Sequence, residues 1–348
     1  MPMLDSPPMC LMVLAQNRYS PVQRFHPTGR ETYMHNTGRT FFIGGFLKAL
    51  VICSICLLIM QPASHAHGTT IPPYVKDCVT FIFIPVLDES GKEKINAGTG
   101  FFVMVKDAET PNKANFYLVT AKHVIQDANK ENYLTLFIRL NKRAGGAGTI
   151  PVPLKGEGAV PVYTHSDPNV DLAVIATMPD PKVYDYTAVP LEMMATADKV
   201  KKLKITEGDD VFFTGLFTHF YGEKKNYPIV RWGRVALMTD ETVPWQEEKD
   251  KKPLTLHLYL IEALSFGGNS GSPVFFYLTG MREPGNIRIG SFDLLLAGVM
   301  KGYINAPSSE QNAGIAAVIP AYQLREVLFS QALLGKDKPE NQGLVKVP

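Results

Sequence analysis

Three short segments carry the residue types that hydrolysis of an acyl group needs. In YLVTAKHVI, His123 directly follows an apolar, β-branched run, which sets it at a strand end beside a turn. In DPNVDLAVIA, Asp171 opens a second apolar run, and in SFGGNSGSPVF, Ser270 lies in a glycine-rich turn before a strand that starts at Ser272. A serine hydroxyl is unreactive at neutral pH unless a base removes its proton during attack. His123 can be that base, because imidazole titrates closest to neutrality of any side chain. Asp171 can fix the imidazole tautomer and stabilise the imidazolium. Charge on the attacked carbonyl oxygen needs donors already aimed at it, and the glycines let the N–H groups of Gly268 and Ser270 converge. A lone histidine at a strand end is more often structural, and a lone aspartate there is often a turn cap. Together the three are specific, and Asp171 is preferred over the nearby Asp167 because it leads the apolar run.

The elements that must position them are short β-type runs separated by Gly, Pro, Asn and Asp. They fall at 79–86, 97–105, 116–121, 133–140 and 171–176, and again at 210–217, 229–238, 254–263, 272–278, 294–300 and 313–320. Such spacing predicts an all-β protein of barrels or sandwiches. Only Ala321 to Gly335 has a helical period, with Leu324, Val327, Leu328 and Leu334 near one face and Gly335 as the stop. That stripe predicts a helix packed across the second half. Residues 336–348 read as a loose tail, and Lys249 to Lys252 with its acidic neighbours as a solvated loop.

The chain has 348 residues, 45% of them hydrophobic and 20% charged, with a formal charge of only +2. That composition is globular and lacks the cationic excess of a nucleic-acid-binding surface. Residues 1–66 nevertheless hold Arg18, Arg24, Arg30, Arg39 and Lys48 against only Asp5 and Glu31. They also hold Cys10, Cys53 and Cys56, leaving Cys78 without an internal disulfide partner. ALVICSICLLIM, from Ala49 to Met60, follows those cations and precedes the small residues Ser64 and Ala66. This reads as a signal peptide cleaved after Ala66, with Met34 as the expected start of translation. Export to a periplasmic or extracellular location follows; an uncleaved span over 41–60 would instead anchor the chain in a membrane. His165, His219 and His257 lack the companion spacing of a zinc site, so no metal is expected.

TAKHV, DLAVI and GGNSGSPVF resemble the active-site blocks of trypsin-like serine peptidases of the chymotrypsin fold. The order His, Asp, Ser matches that family as well, with separations of 48 and 99 residues. GGNSGSPVF and KHV are similar to the bacterial glutamyl-endopeptidase branch, and AGIAAVIPAYQL is similar to the Deg-type peptidases. The resemblance implies two six-stranded antiparallel barrels, over 74–177 and 178–335, with a C-terminal helix and the site in the cleft between them. It implies His123 as base and then acid, Asp171 as its orienting carboxylate, Ser270 as nucleophile, and Gly268 with Ser270 as oxyanion hole. Protein or peptide substrates are implied, with no metal or organic cofactor.

Digestive relatives carry an Asp just before the serine, where this chain has Asn269, so activation by an ion pair to a new N-terminus is unavailable. The turn is expected to be held by its own hydrogen bonds. By the same alignment Leu264 lies at the floor of the specificity pocket, with Met300, Lys301 and Gly302 along its wall. An apolar floor disfavours Arg or Lys before the scissile bond and points to small or aliphatic residues, while Lys301 is the cation that could accept an acidic side chain. An α/β-hydrolase is excluded by the absence of GxSxG and by the order of the three residues. A peptidase fold kept as a non-catalytic binding or stress-sensing module is the rival function.

Overall fold

In a computed structural model the described residues are 70–88, 90–106, 114–246, 252–279, 282, 292–305 and 311–330. The chain divides into two units, Met1–His65 and Ala66–Pro348, and the described residues all belong to the second. The expected leader, the Met34 start and the tail at 336–348 lie outside them, as does most of the Lys249–Lys252 loop.

The architecture is all-β with a C-terminal helix. A short helix α1 (Tyr74–Asp77) leads into a first sheet built from β1 (Val79–Leu87), β2 (Glu93–Lys106), β3 (Ala114–Ala121), β4 (Thr135–Asn141), β5 (Ala147–Pro153), β6 (Val162–Thr164) and β7 (Leu172–Ile175). These strands lie side by side in the order β5-β4-β1-β2-β3-β7-β6. The sheet has eight strands rather than the six expected: these seven and, after β7, β8 (Val189–Pro190), a short parallel rung on β2.

A small helix α2 (Ala197–Lys202) then leads to the second sheet. Its strands are β9 (Asp210–Gly215), β10 (Ile229–Leu237), β13 (Tyr259–Glu262), β14 (Pro273–Thr279), β15 (Phe292–Asn305) and β16 (Asn312–Pro320). They close into the expected six-stranded barrel, in the order β10-β13-β16-β15-β14-β9. A side hairpin, β11 (Val243–Trp245) with β12 (Leu254–Leu256), stands apart from it. The helix α3 spans Ala321–Leu328. It forms the N-terminal part of the expected 321–335 segment, whose residues from 331 onward lie outside those described.

Continuous apolar runs occur because both faces of the central strands are buried. Side chains alternate along a strand, so neighbouring residues enter different cores. Ile82, Phe102, Leu118 and Ile175 fill the first sheet, whereas Val211, Phe213, Phe276 and Val318 fill the second barrel. Their neighbours Phe81, Phe101, Val119, Phe212 and Phe275 turn the other way into a third, shared core with Leu324 and Leu328 of α3. A fully buried side chain of this size contributes about 1.5–3 kcal/mol. The shared core therefore fixes the two sheets, and the loops they carry, against each other.

Candidate active site

Strand β3 ends at Ala121 and runs directly into one 3-10 turn, Lys122–Val124, which carries His123. The turn is pinned to the entry of β7. Lys122 N–H donates to Asp171 O at 3.2 Å, and His123 N–H donates to Asp171 Oδ1 at 2.9 Å. His123 Nδ1 lies 2.6 Å from Asp171 Oδ2. An ionised carboxylate can only accept, so Nδ1 carries the hydrogen and Nε2 of the neutral ring keeps its lone pair. The His123 side chain is 44% exposed and that of Asp171 only 6%, so the pair presents a reachable base on a buried acid. Asp167 is engaged in its own loop, where Oδ1 accepts Asn169 N–H at 2.9 Å.

Burial alone would raise the Asp171 carboxyl. The neighbouring His123 and then Lys301, each through charge and hydrogen bonding, outweigh burial and hold it well below the usual carboxylate range. Lys301 Nζ donates to Asp171 Oδ2 at 2.8 Å, and both side chains are buried.

The Ser270 turn, residues 266–272, is held partly by its own hydrogen bonds and partly by bonds to Leu216, Met300 and Thr99. Asn269 is buried, and its Oδ1 accepts Phe266 N–H at 2.9 Å while its Nδ2 donates to Leu216 O at 2.7 Å. Gly268 and Gly271 have φ of +93° and +86°, the left-handed region that favours glycine. A Cβ on Gly271 would also come within 2.1 Å of Thr99 O and 2.3 Å of Thr120 Oγ1. Gly271 therefore packs against the end of β3, two residues before His123, which brings Ser270 to the same place as the His123–Asp171 pair. Ser270 Oγ–H donates to Lys301 O at 3.2 Å, and among the described residues no hydrogen bond joins it to His123. The N–H groups of Gly268 and Ser270 make no hydrogen bond within the protein among the described residues, which leaves two donors for an oxyanion. No group of His, Cys, Asp and Glu among the described residues could hold a metal ion.

A family model of the trypsin-like peptidase domain matches residues 98–280, more than half of the chain. The chain belongs to that family. Solved structures similar in fold include the MamO protease domain from Magnetospirillum magneticum, at 14% identity and a TM-score of 0.43 over 73% of this chain and 97% of that one. Deg5 is similar at 15% identity and a TM-score of 0.42, over 75% of this chain and 92% of its own. No curated protein sequence matches the chain. As a trypsin-like peptidase domain, it is of the hydrolase type that takes protein or peptide substrates.

The four expected pocket residues of this peptidase domain do not stay together. Leu264 is 50% exposed and lines an open cavity of about 740 Å³ with Ala263, Arg231 and Trp232. Gly302 lies under the Trp245 ring. The expectation fails for the side chains of Met300 and Lys301. Met300 is fully buried in the core of the second barrel, as strand alternation requires. Lys301 turns to Asp171, so its ammonium is not offered to an acidic substrate.

Thr99, within the AGTGFF run read only as a strand, is a bracket for the site that sequence reasoning missed. Its Oγ1 donates to Gly268 O at 2.7 Å and accepts Leu216 N–H at 2.9 Å. Its N–H donates to Ser270 O at 2.9 Å, and its carbonyl accepts Thr120 Oγ1–H at 2.7 Å. Thr99 is fully buried, and a threonine between two glycines ahead of an apolar run does not by itself mark it in the sequence. Thr99→Val keeps the shape but strands a buried carbonyl and a buried N–H, each costing about 1–3 kcal/mol. A drop of about 2–4 kcal/mol in urea unfolding is expected, with a larger fractional loss of reactivity at Ser270 than at a surface nucleophile; an unchanged urea midpoint would contradict the bracket.

Proposed function

We propose that the chain is a secreted serine endopeptidase acting through His123, Asp171 and Ser270. In the proposed reaction, Ser270 Oγ attacks the peptide carbonyl carbon as its proton passes to His123 Nε2. The C–N bond then breaks as His123 returns that proton to the leaving amine, and water repeats the sequence on the acyl-enzyme to release the acid. Gly268 and Ser270 N–H receive the oxyanion. The observation that carries this reading is the 2.6 Å contact between a reachable imidazole and a buried carboxylate, at a strand end packed on the Ser270 turn. A fluorophosphonate probe is expected to label Ser270, with labelling lost in Ser270→Ala and weakened in His123→Ala.

The second reading, a non-catalytic binding module, is favoured by one contact: the Ser270 hydroxyl faces the Lys301 carbonyl. Contacts of a catalytic serine commonly tighten only when substrate binds, so we prefer the peptidase. A folded protein that never labels would reverse that preference. Export is inferred from the Ala49–Met60 segment and its small-residue exit; N-terminal sequencing of the mature protein is expected to begin after Ala66, and a start at Met34 or earlier would contradict it. The small or aliphatic preference expected from Leu264 is not carried forward, because Leu264 lines an open cavity together with the charged residues Asp210, Arg231, Arg234 and Glu262.

A further inference from the structure

Lys301 occupies an irregular point in its strand. β15 pairs with β16 through Met300↔Val318 and then Gly302↔Ala317, so Lys301 is the extra residue of a β-bulge. Met300 enters the core of the second barrel, so Lys301, the next residue, faces the opposite side of the strand, toward the first sheet. There its ammonium donates to Asp171 Oδ2 at 2.8 Å and lies 5.1 Å from the Trp245 ring centroid. The same oxygen is 2.6 Å from His123 Nδ1. One carboxylate oxygen thus accepts from both the imidazole and the ammonium, and the carbonyl of the same lysine holds the Ser270 hydroxyl.

We propose that Lys301 is a positioning residue that sets the charge of the catalytic pair and thereby extends reactivity of Ser270 to lower pH. The inference rests on the peptidase reading. With Lys301 present, Asp171, Lys301 and a neutral His123 sum to zero, and a proton on His123 makes the cluster +1. Without Lys301 the same cluster runs from −1 to zero, so the proton is held more firmly and the base is lost at higher pH. The other charged groups nearby have their own partners. Lys122 Nζ donates to Pro168 O, and Asp167 accepts Asn169 N–H. On α3, which packs against β7 and β15, Glu326 pairs with His165 and Arg325 lies over Phe329.

The test is the rate of fluorophosphonate labelling of the full chain against pH, for wild type and for Lys301→Met, Lys301→Gln and Lys301→Arg. The acid-side midpoint is expected to rise by about one pH unit in Met and Gln and to stay in place in Arg. If methionine prevents folding, glutamine, which keeps a donor to Asp171, carries the same comparison. A lowered plateau with an unmoved midpoint is what a merely structural lysine would give, and it would overturn the proposal. So would an arginine variant that shifts as far as methionine. Labelling absent from every form, wild type included, defeats the peptidase reading and this inference with it, whereas labelling with an unmoved midpoint defeats this inference alone.

Discussion

Replacing Ser270 by alanine is expected to lower kcat on a peptide substrate by a factor on the order of 10⁶. The hydroxyl is the proposed nucleophile, and its removal ends acyl-enzyme chemistry while leaving the oxyanion donors in place. Those donors and substrate binding alone retain a residual acceleration on the order of 10³ over water. Folding should be nearly unaffected, because the long Oγ–H contact to Lys301 O is the side-chain hydrogen bond that Ser270 makes, and the turn is fixed by Asn269, Gly271 and Thr99 instead. Loss of turnover with an unchanged urea midpoint is the expected pattern. Retained turnover would show that the reacting group lies elsewhere.

Asp171→Asn should cost about 10⁴-fold in kcat and, unlike the serine variant, should also unfold more easily. Both carboxylate oxygens face donors: Oδ1 takes His123 N–H, and Oδ2 takes His123 Nδ1–H and Lys301 Nζ. An asparagine must turn its NH₂ toward one set or the other, so a donor meets a donor in either orientation. Lys301 also loses its buried counter-charge, and breaking such a pair from one side costs about 3–5 kcal/mol. The pH dependence has a definite sign. The folded carboxyl is held below its unfolded value of about 3.9, so its stabilising contribution is complete above that pH and is lost as pH falls toward the folded value. The wild-type minus Asn stability difference should therefore be largest near neutrality and shrink in acid. A difference that does not vary with pH would contradict the ion-pair account.

How far the sequence reached follows from the range of each interaction. His123 and Asp171 are legible because each sits at a boundary between an apolar run and a turn, a local signal. The closed barrel is legible because runs such as SPVFFYL are apolar on both faces. Asn269 carries no charge with which to form an ion pair, and its two bonds to Phe266 and Leu216 depend on the folded loop. Thr99 and Lys301 are illegible for the same reason. Thr99 reaches a turn 169 positions away, and Lys301 reaches Asp171 over a separation of 130. Alternation turns Lys301 away from Met300, but which residue of the other sheet meets it on that face is not written in the strand. Met300 illustrates the converse: placed by alignment in a pocket wall, it obeys simple alternation and enters the core. The eighth strand of the first sheet, two residues long, carries too short a pattern to read.

The central claim is that Ser270 becomes covalently acylated with His123 as its base. The most direct measurement is the intact mass of the protein quenched in acid during turnover of a p-nitrophenyl ester, followed by peptide mapping. A single acyl group on the peptide containing Ser270, absent from Ser270→Ala and strongly reduced in His123→Ala, is the predicted result. Turnover with an acyl group on another residue, or an adduct indifferent to His123, would contradict it.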